Sequence, residues 1–191
     1  MPKNASAVLK RLDSDIIMEI TRCVRDIIKE EEAAAVKARY NKKLASTKLL
    51  LRNYHSLVDH CESSIYDASD VHIDDEFNLE DILELMMGNT SASLKIESIR
   101  KSAFRTRIII DHINNMLDIY KLYCERSSKE EDSRRYRVIY WLYLAEEPRT
   151  HAELAEDENT DKRTIYRDVD VAVERLTALI FGIDGLNILH K

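Results

Sequence analysis

Apolar residues recur at helical spacing along almost the whole chain. Ile16, Ile20, Val24 and Ile27 step by four, four and three residues. This predicts a helix from about Asp13, behind a frayed segment 1–12. The acidic, alanine-rich stretch 30–35 continues it without a breaker. A 4–3 stripe follows: Tyr40, Leu44, Thr47, Leu51, Tyr54, Val58, Cys61 and Ile65, with Thr47 its one polar member. A second stripe runs Ile96, Ile99, Ala103, Thr106, Ile110, Ile113, Leu117, Tyr120 and Cys124, with Thr106 as its one polar member. Stripes of this kind mark helices that pack along partner helices. Between them lies the acidic segment 67–76, read as a solvated loop. A short helix comes next, capped by Asn78, favoured by Glu80 and Asp81 in its first turn, and ended by Gly88. The two stripes predict an antiparallel helical hairpin; the same stripes also suit an intermolecular coiled coil.

Residues 125–135, ERSSKEEDSRR, hold no apolar side chain and read as a linker. They divide the chain into a long-helix body, 1–132, for self-association or positioning, and a module, 133–191. The module opens with VIYWLYLA at 138–145. Its β-branched and aromatic content suits a strand, but the charged helical lead-in and the lack of a partner strand favour a buried helix, stopped by Pro148. Composition agrees with an all-α fold: only 3 Gly and 2 Pro in 191 residues leave few tight turns.

The module then shows two helix starts in close succession. Thr150 and Glu153 have capping-box spacing, and Leu154 and Ala155 supply a small inner face. Asn159 tolerates the left-handed conformation of a tight turn, and Asp161 is a good N-cap. The next helix sets Ile165, Val169, Ala172 and Leu176 on one face. Its opposite face begins with Lys162, Arg163, Tyr166 and Arg167. Two helices, a turn of three or four residues and a basic second start make a helix-turn-helix. In such a unit the first turns of the second helix enter the major groove of DNA. The residues expected at DNA are Lys162, Arg163, Thr164, Tyr166 and Arg167, with Arg149 and His151 at backbone phosphate. Asp168, Asp170 and Glu174 are expected to face away or to limit depth. Gly182 is placed to end the helix, and the apolar tail beyond it to fold back.

The segment ELAEDENTDKRTIYRDVDVAVERL, 153–176, resembles the helix-turn-helix of sigma-factor region four. It looks most like that of the ArpU-type regulators of phages and prophages in low-GC Gram-positive bacteria. Segments 47–66, 134–144 and 176–186 look similar to the same group. The resemblance implies control of transcription, commonly of late phage genes, through double-stranded DNA and contact with RNA polymerase. The chain departs from the usual pattern at Asn159, where Gly is common, and at Glu158 and Thr160, where apolar residues are common. Asp161 also brings a negative charge near the expected phosphate.

Charge and the remaining chemistry narrow the picture. Net charge is −6, distributed as +5 over residues 1–55, −9 over 56–132 and −2 over 133–191. Any nucleic-acid contact therefore depends on a local basic face. Cys23, Cys61 and Cys124 form no CxxC pair, so neither a disulfide framework nor a zinc site is expected. The six histidines are scattered, and no phosphate loop or catalytic motif occurs. No cofactor, metal or catalytic residue is expected. No apolar run approaches the roughly 18 residues of a membrane span, and residues 1–10 lack a signal-like apolar core. A cytoplasmic, non-enzymatic DNA-binding regulator is the expectation, with self-association through the long helices. A phage DNA-packaging recognition subunit and a polymerase-binding protein module are the alternatives.

Overall fold

Low glycine and proline content has its direct result in the backbone. The computed structural model describes residues 4–64, 78–101 and 103–182, and every regular element among them is helical. Helix α1, Asn4–Arg52, runs 49 residues. It contains neither Gly nor Pro, and it starts ahead of the expected Asp13. The chain divides into two units, Met1–Tyr40 and Asn41–Lys191. In the first unit every residue from 16 to 39 is exposed.

The second unit holds the core. After α1 come α2 (Tyr54–Ser64), α3 (Leu79–Met87), α4 (Ala92–Arg100) and α5 (Ala103–Arg126). The first stripe is thus broken at Asn53, whose side-chain amide donates to the Leu49 carbonyl at 2.8 Å and whose N–H does so at 3.2 Å. Asn53 competes locally with the helical ladder and restarts the chain as α2. The second stripe is broken after Arg100. Its members Ile96, Ile99, Ile110, Ile113, Leu117, Tyr120 and Cys124 are all buried, as are Leu51 and Cys61 of the first. The second stripe is thus largely buried within the chain and the first is buried in part, with Leu44, Tyr54 and Val58 half-buried against the core; α5 packs on α2, α3, α4, α6 and α8. Each fully buried isoleucine contributes about 2 kcal/mol. The polar exceptions are satisfied: the Thr106 hydroxyl donates to the Ile99 carbonyl at 3.2 Å and that of Thr47 to the Lys43 carbonyl at 3.1 Å. Asn78 caps α3 in a full capping box with Asp81, and Gly88 ends it in extended backbone. Ile65, the acidic segment 67–76 and the apolar tail lie outside the described residues.

The remaining helices are α6 (Glu130–Ile139), α7 (His151–Asp157) and α8 (Lys162–Phe181), with one turn of π-helix, Tyr140–Leu144, extending α6. The segment expected to be a linker is a fastened corner. Asp132, 4% exposed, accepts from the Ser127 hydroxyl at 2.6 Å and from Arg135 at 2.6 Å. Asp168 of α8, 0% exposed, accepts from Arg134 Nε at 2.6 Å and Arg135 Nε at 3.3 Å. Asp132 thus enters the interior because its charge finds partners, while residues 128–131 of the same run stay exposed. The stretch 138–145 is helical as expected. Its π turn is only partly buried, with Tyr140 exposed and residues 141–144 intermediate.

Helix α8 is tied to the rest of the second unit. Thr177 donates to Thr47 at 2.8 Å inside the core. Lys43 donates to the Phe181 carbonyl at 3.1 Å, and His112 lies 3.1 Å from that of Ile180. These side chains satisfy carbonyls that the helix end leaves open. The division expected at 132/133 is therefore not where the structure divides. Among the described residues, the helix-turn-helix shares one core with the end of α1 and with α2 to α6.

The buried cluster has a measurable weight. Asp168→Ala leaves Arg134 and Arg135 without their shared carboxylate, and should lower unfolding stability by about 3 kcal/mol in urea denaturation. Asp170→Ala, which removes only the exposed pair with Lys48, should cost under about 1 kcal/mol. Equal losses for the two variants would contradict this ranking. The Ser127 hydroxyl and Arg135 hold the Asp132 carboxyl below its ordinary 3.8. Its contribution is therefore present above that pH and lost as pH falls through the lowered value.

Candidate nucleic-acid interface

The helix-turn-helix is built from local hydrogen bonds that its sequence encodes. The Thr150 hydroxyl accepts from the Glu153 amide at 3.3 Å, and the Glu153 carboxylate accepts from the Thr150 amide at 2.7 Å. This capping box starts α7 and buries Leu154 and Ala155. Asn159 adopts φ 48°, the left-handed turn residue, and the Thr160 amide donates to the Ala155 carbonyl at 2.9 Å. Asp161 caps α8, accepting from the Thr164 amide at 2.8 Å and from its hydroxyl at 3.1 Å. Those bonds hold the Asp161 carboxyl below the ordinary range. The back of α8 buries Ile165, Val169, Ala172, Val173 and Leu176.

Two acids behave differently from expectation. Glu158, where an apolar residue is common in such turns, is gripped by Arg137 of α6. Arg137 Nε donates to one carboxylate oxygen at 2.8 Å and a second guanidinium nitrogen to the other at 2.7 Å. A two-pronged arginine–carboxylate bond fixes geometry as well as charge, so it takes the place of apolar contact in the turn. Asp168 does not face away. It lies inside, on the face that carries Ile165 and Ala172, which its spacing of three and four residues from them already indicated.

The seven predicted contact residues fall into three groups. Lys162, Arg163 and Arg167 are exposed, and no hydrogen bond or ion pair engages their side chains. Tyr166 is 54% exposed, with its ring stacked on His151 at 4.4 Å between centroids. Arg149 and Thr164 are occupied. The Arg149 guanidinium lies 4.1 Å over the Trp141 ring and pairs with Asp157, while Thr164 completes the α8 cap. By contrast Arg134, Arg135, Arg137 and Arg175 all hold partners within the chain.

Helical geometry places Arg163, Arg167, Asp170 and Glu174 on one outward face. The cationic part is its first two turns. Nearby acids are largely committed: Glu153 and Asp161 to caps, Asp157 to Arg149, and Asp170 to Lys48 at 2.9 Å. Sequence reasoning did not identify Arg134 and Lys48, which bond Asp168 and Asp170 of α8, or Arg137, which holds Glu158 in the turn before it. No group of residues suited to hold a metal ion occurs among the described residues. No helix among them is long and apolar enough to cross a membrane. No family model, no curated protein and no solved structure matches the chain.

Burial against Tyr166 explains why His151 titrates below its ordinary 6.5. The ring is therefore neutral at pH 7 and offers an N–H donor rather than a charge. Because the unfolded chain binds this proton more readily, the contribution to stability is complete above 6.5 and falls as pH drops below it. An NMR titration should give a midpoint below 6.5, moving up toward that value in Tyr166→Ala. A midpoint at 6.5 in both proteins would mean that stacking does not shield the ring.

Proposed function

We propose that this chain is a cytoplasmic, sequence-specific DNA-binding transcription regulator that reads double-stranded DNA with the first two turns of α8. The observation that carries the reading is the set of uncommitted cations. Lys162, Arg163 and Arg167 stand exposed and without partners, whereas the other arginines of α6 to α8 are spent inside the molecule. Free guanidinium groups at the start of a helix-turn-helix second helix have the chemistry for guanine N7 and O6. Arg163 and Arg167 are assigned to base edges and Lys162 to phosphate, with His151 donating to phosphate as a neutral ring. The likeness of segment 153–176 to sigma-region-four and ArpU-type helix-turn-helix units supports the same reading, with phage or prophage genes as targets.

A second reading keeps the fold and changes the partner. The second unit carries 21 cationic and 28 anionic side chains, a balance that repels DNA at long range. That balance favours a protein partner, with RNA polymerase as the candidate.

Binding to fragments selected from genomic DNA separates the two. Arg163→Ala and Arg167→Ala should each cost about 1–3 kcal/mol and relax sequence preference. Lys162→Ala should weaken binding uniformly and lower the salt slope by about one. Affinity that survives both arginine substitutions, or that shows no salt dependence, defeats the DNA assignment.

A further inference from the structure

We infer that Tyr166 reads the C5 methyl group of a thymine beside the guanines assigned to Arg163 and Arg167. The inference rests on the DNA reading of α8 and deepens it. The arginines, Lys162 and His151 bring hydrogen-bond donors to that surface. Tyr166 brings a different chemistry.

Tyr166 stands one turn into α8, three residues after Arg163 and directly before Arg167. At 100° per residue its Cβ leaves the helix about 60° from that of Arg163 and about 100° from that of Arg167. It flanks the outward face on the side toward the start of α7. There the His151 ring meets it at 4.4 Å between centroids, with 21° between the planes. The residue is still 54% exposed. A ring stacked on a neighbour keeps its place and loses little side-chain freedom when a ligand arrives. One face of the Tyr166 ring is taken by His151. What remains is an apolar surface, edged by one hydroxyl, that solvent reaches.

The chemistry of a duplex selects the occupant of that surface. Stacked base pairs offer edges in the major groove, and nearly every group there is a hydrogen-bond donor or acceptor. The C5 methyl of thymine is the apolar exception, and apolar side-chain surface recognises it. Phosphate is the competing contact, through the hydroxyl. His151 and Lys162 are already assigned to phosphate here, whereas Tyr166 shares its turn of α8 with two base-reading arginines. One helical turn rises about 5.4 Å, between one and two base steps of about 3.4 Å, so the thymine lies within about two base pairs of a guanine.

Duplexes selected from genomic fragments by the full wild-type chain provide the test. Their thymines are exchanged one at a time for deoxyuridine, which removes the C5 methyl and keeps every hydrogen-bonding group. Arg163→Ala and Arg167→Ala locate the guanines. At a position within about two base pairs of them, the exchange should raise the wild-type dissociation constant about four-fold, the weight of one buried methyl-sized group. Tyr166→Phe should keep that ratio, and Tyr166→Ala should abolish it. Tyr166 lies outside the core, so the thermal transition should not move in either variant and serves as the folding control. A scan without such a position overturns the inference, as does a ratio that survives in Tyr166→Ala. A ratio lost in Tyr166→Phe also overturns it and moves the contact to the hydroxyl. So does a single strand bound as tightly as its duplex, which places the ring face on an unstacked base. Selective duplex binding with a flat scan defeats this inference alone. Failure of the wild type to select any duplex defeats the DNA reading with it.

Discussion

Asp168 is a carboxylate with no exposed surface, and it keeps its place because two arginines of α6 reach it. Removing such a charge from water costs several kcal/mol, recovered only when partners and geometry are good. Arg135 supplies a second link by bonding Asp132, so the corner between α5 and α6 and the middle of α8 form one network. The network sets the rotation of α8 about its own axis. With Asp168 turned inward beside Ile165 and Ala172, Arg163 and Arg167 must turn outward. The inner arginines and the outer ones are thus two consequences of one buried acid.

Much of this was legible in the residues. The helical class follows from apolar spacing and scarce breakers. Thr150, Glu153, Asn159 and Asp161 act as their side-chain chemistry predicts, because caps and tight turns are local interactions. The breaks at Asn53 and after Arg100 were not legible. A stripe that continues in register on both sides of a break looks like one helix. The boundary at 132/133 was misplaced for another reason: a run of charges resembles a linker unless the distant partner of each charge is known. Arg134 and Asp168 are 34 residues apart, and only the fold joins them. Glu158 shows the same limit, since its departure from the usual apolar residue makes sense only once Arg137 is beside it.

Charge is partitioned along the chain in a way that suits short-range recognition. The first unit is nearly neutral and the second is anionic, yet Lys162, Arg163 and Arg167 cluster at the start of α8 while Asp157, Glu158 and Asp170 nearby are offset by ion pairs. Under the proposed function the molecule gains little from long-range steering. Discrimination would rest on close contacts by two arginines, and nonspecific adhesion to polyanions would be weak.

The π turn at Tyr140–Leu144 carries one residue more than an ordinary helical turn needs. Its register bonds the Ala145 amide to the Tyr140 carbonyl and leaves that of Trp141 for the Arg149 amide, at 2.8 Å. The Trp141 ring in turn lies under the Arg149 guanidinium. Length at this point is therefore under tighter constraint than residue identity. A lineage that dropped a single codon here would rotate all that follows by about a quarter turn, whereas one that exchanged Leu142 for another apolar side chain would keep the geometry.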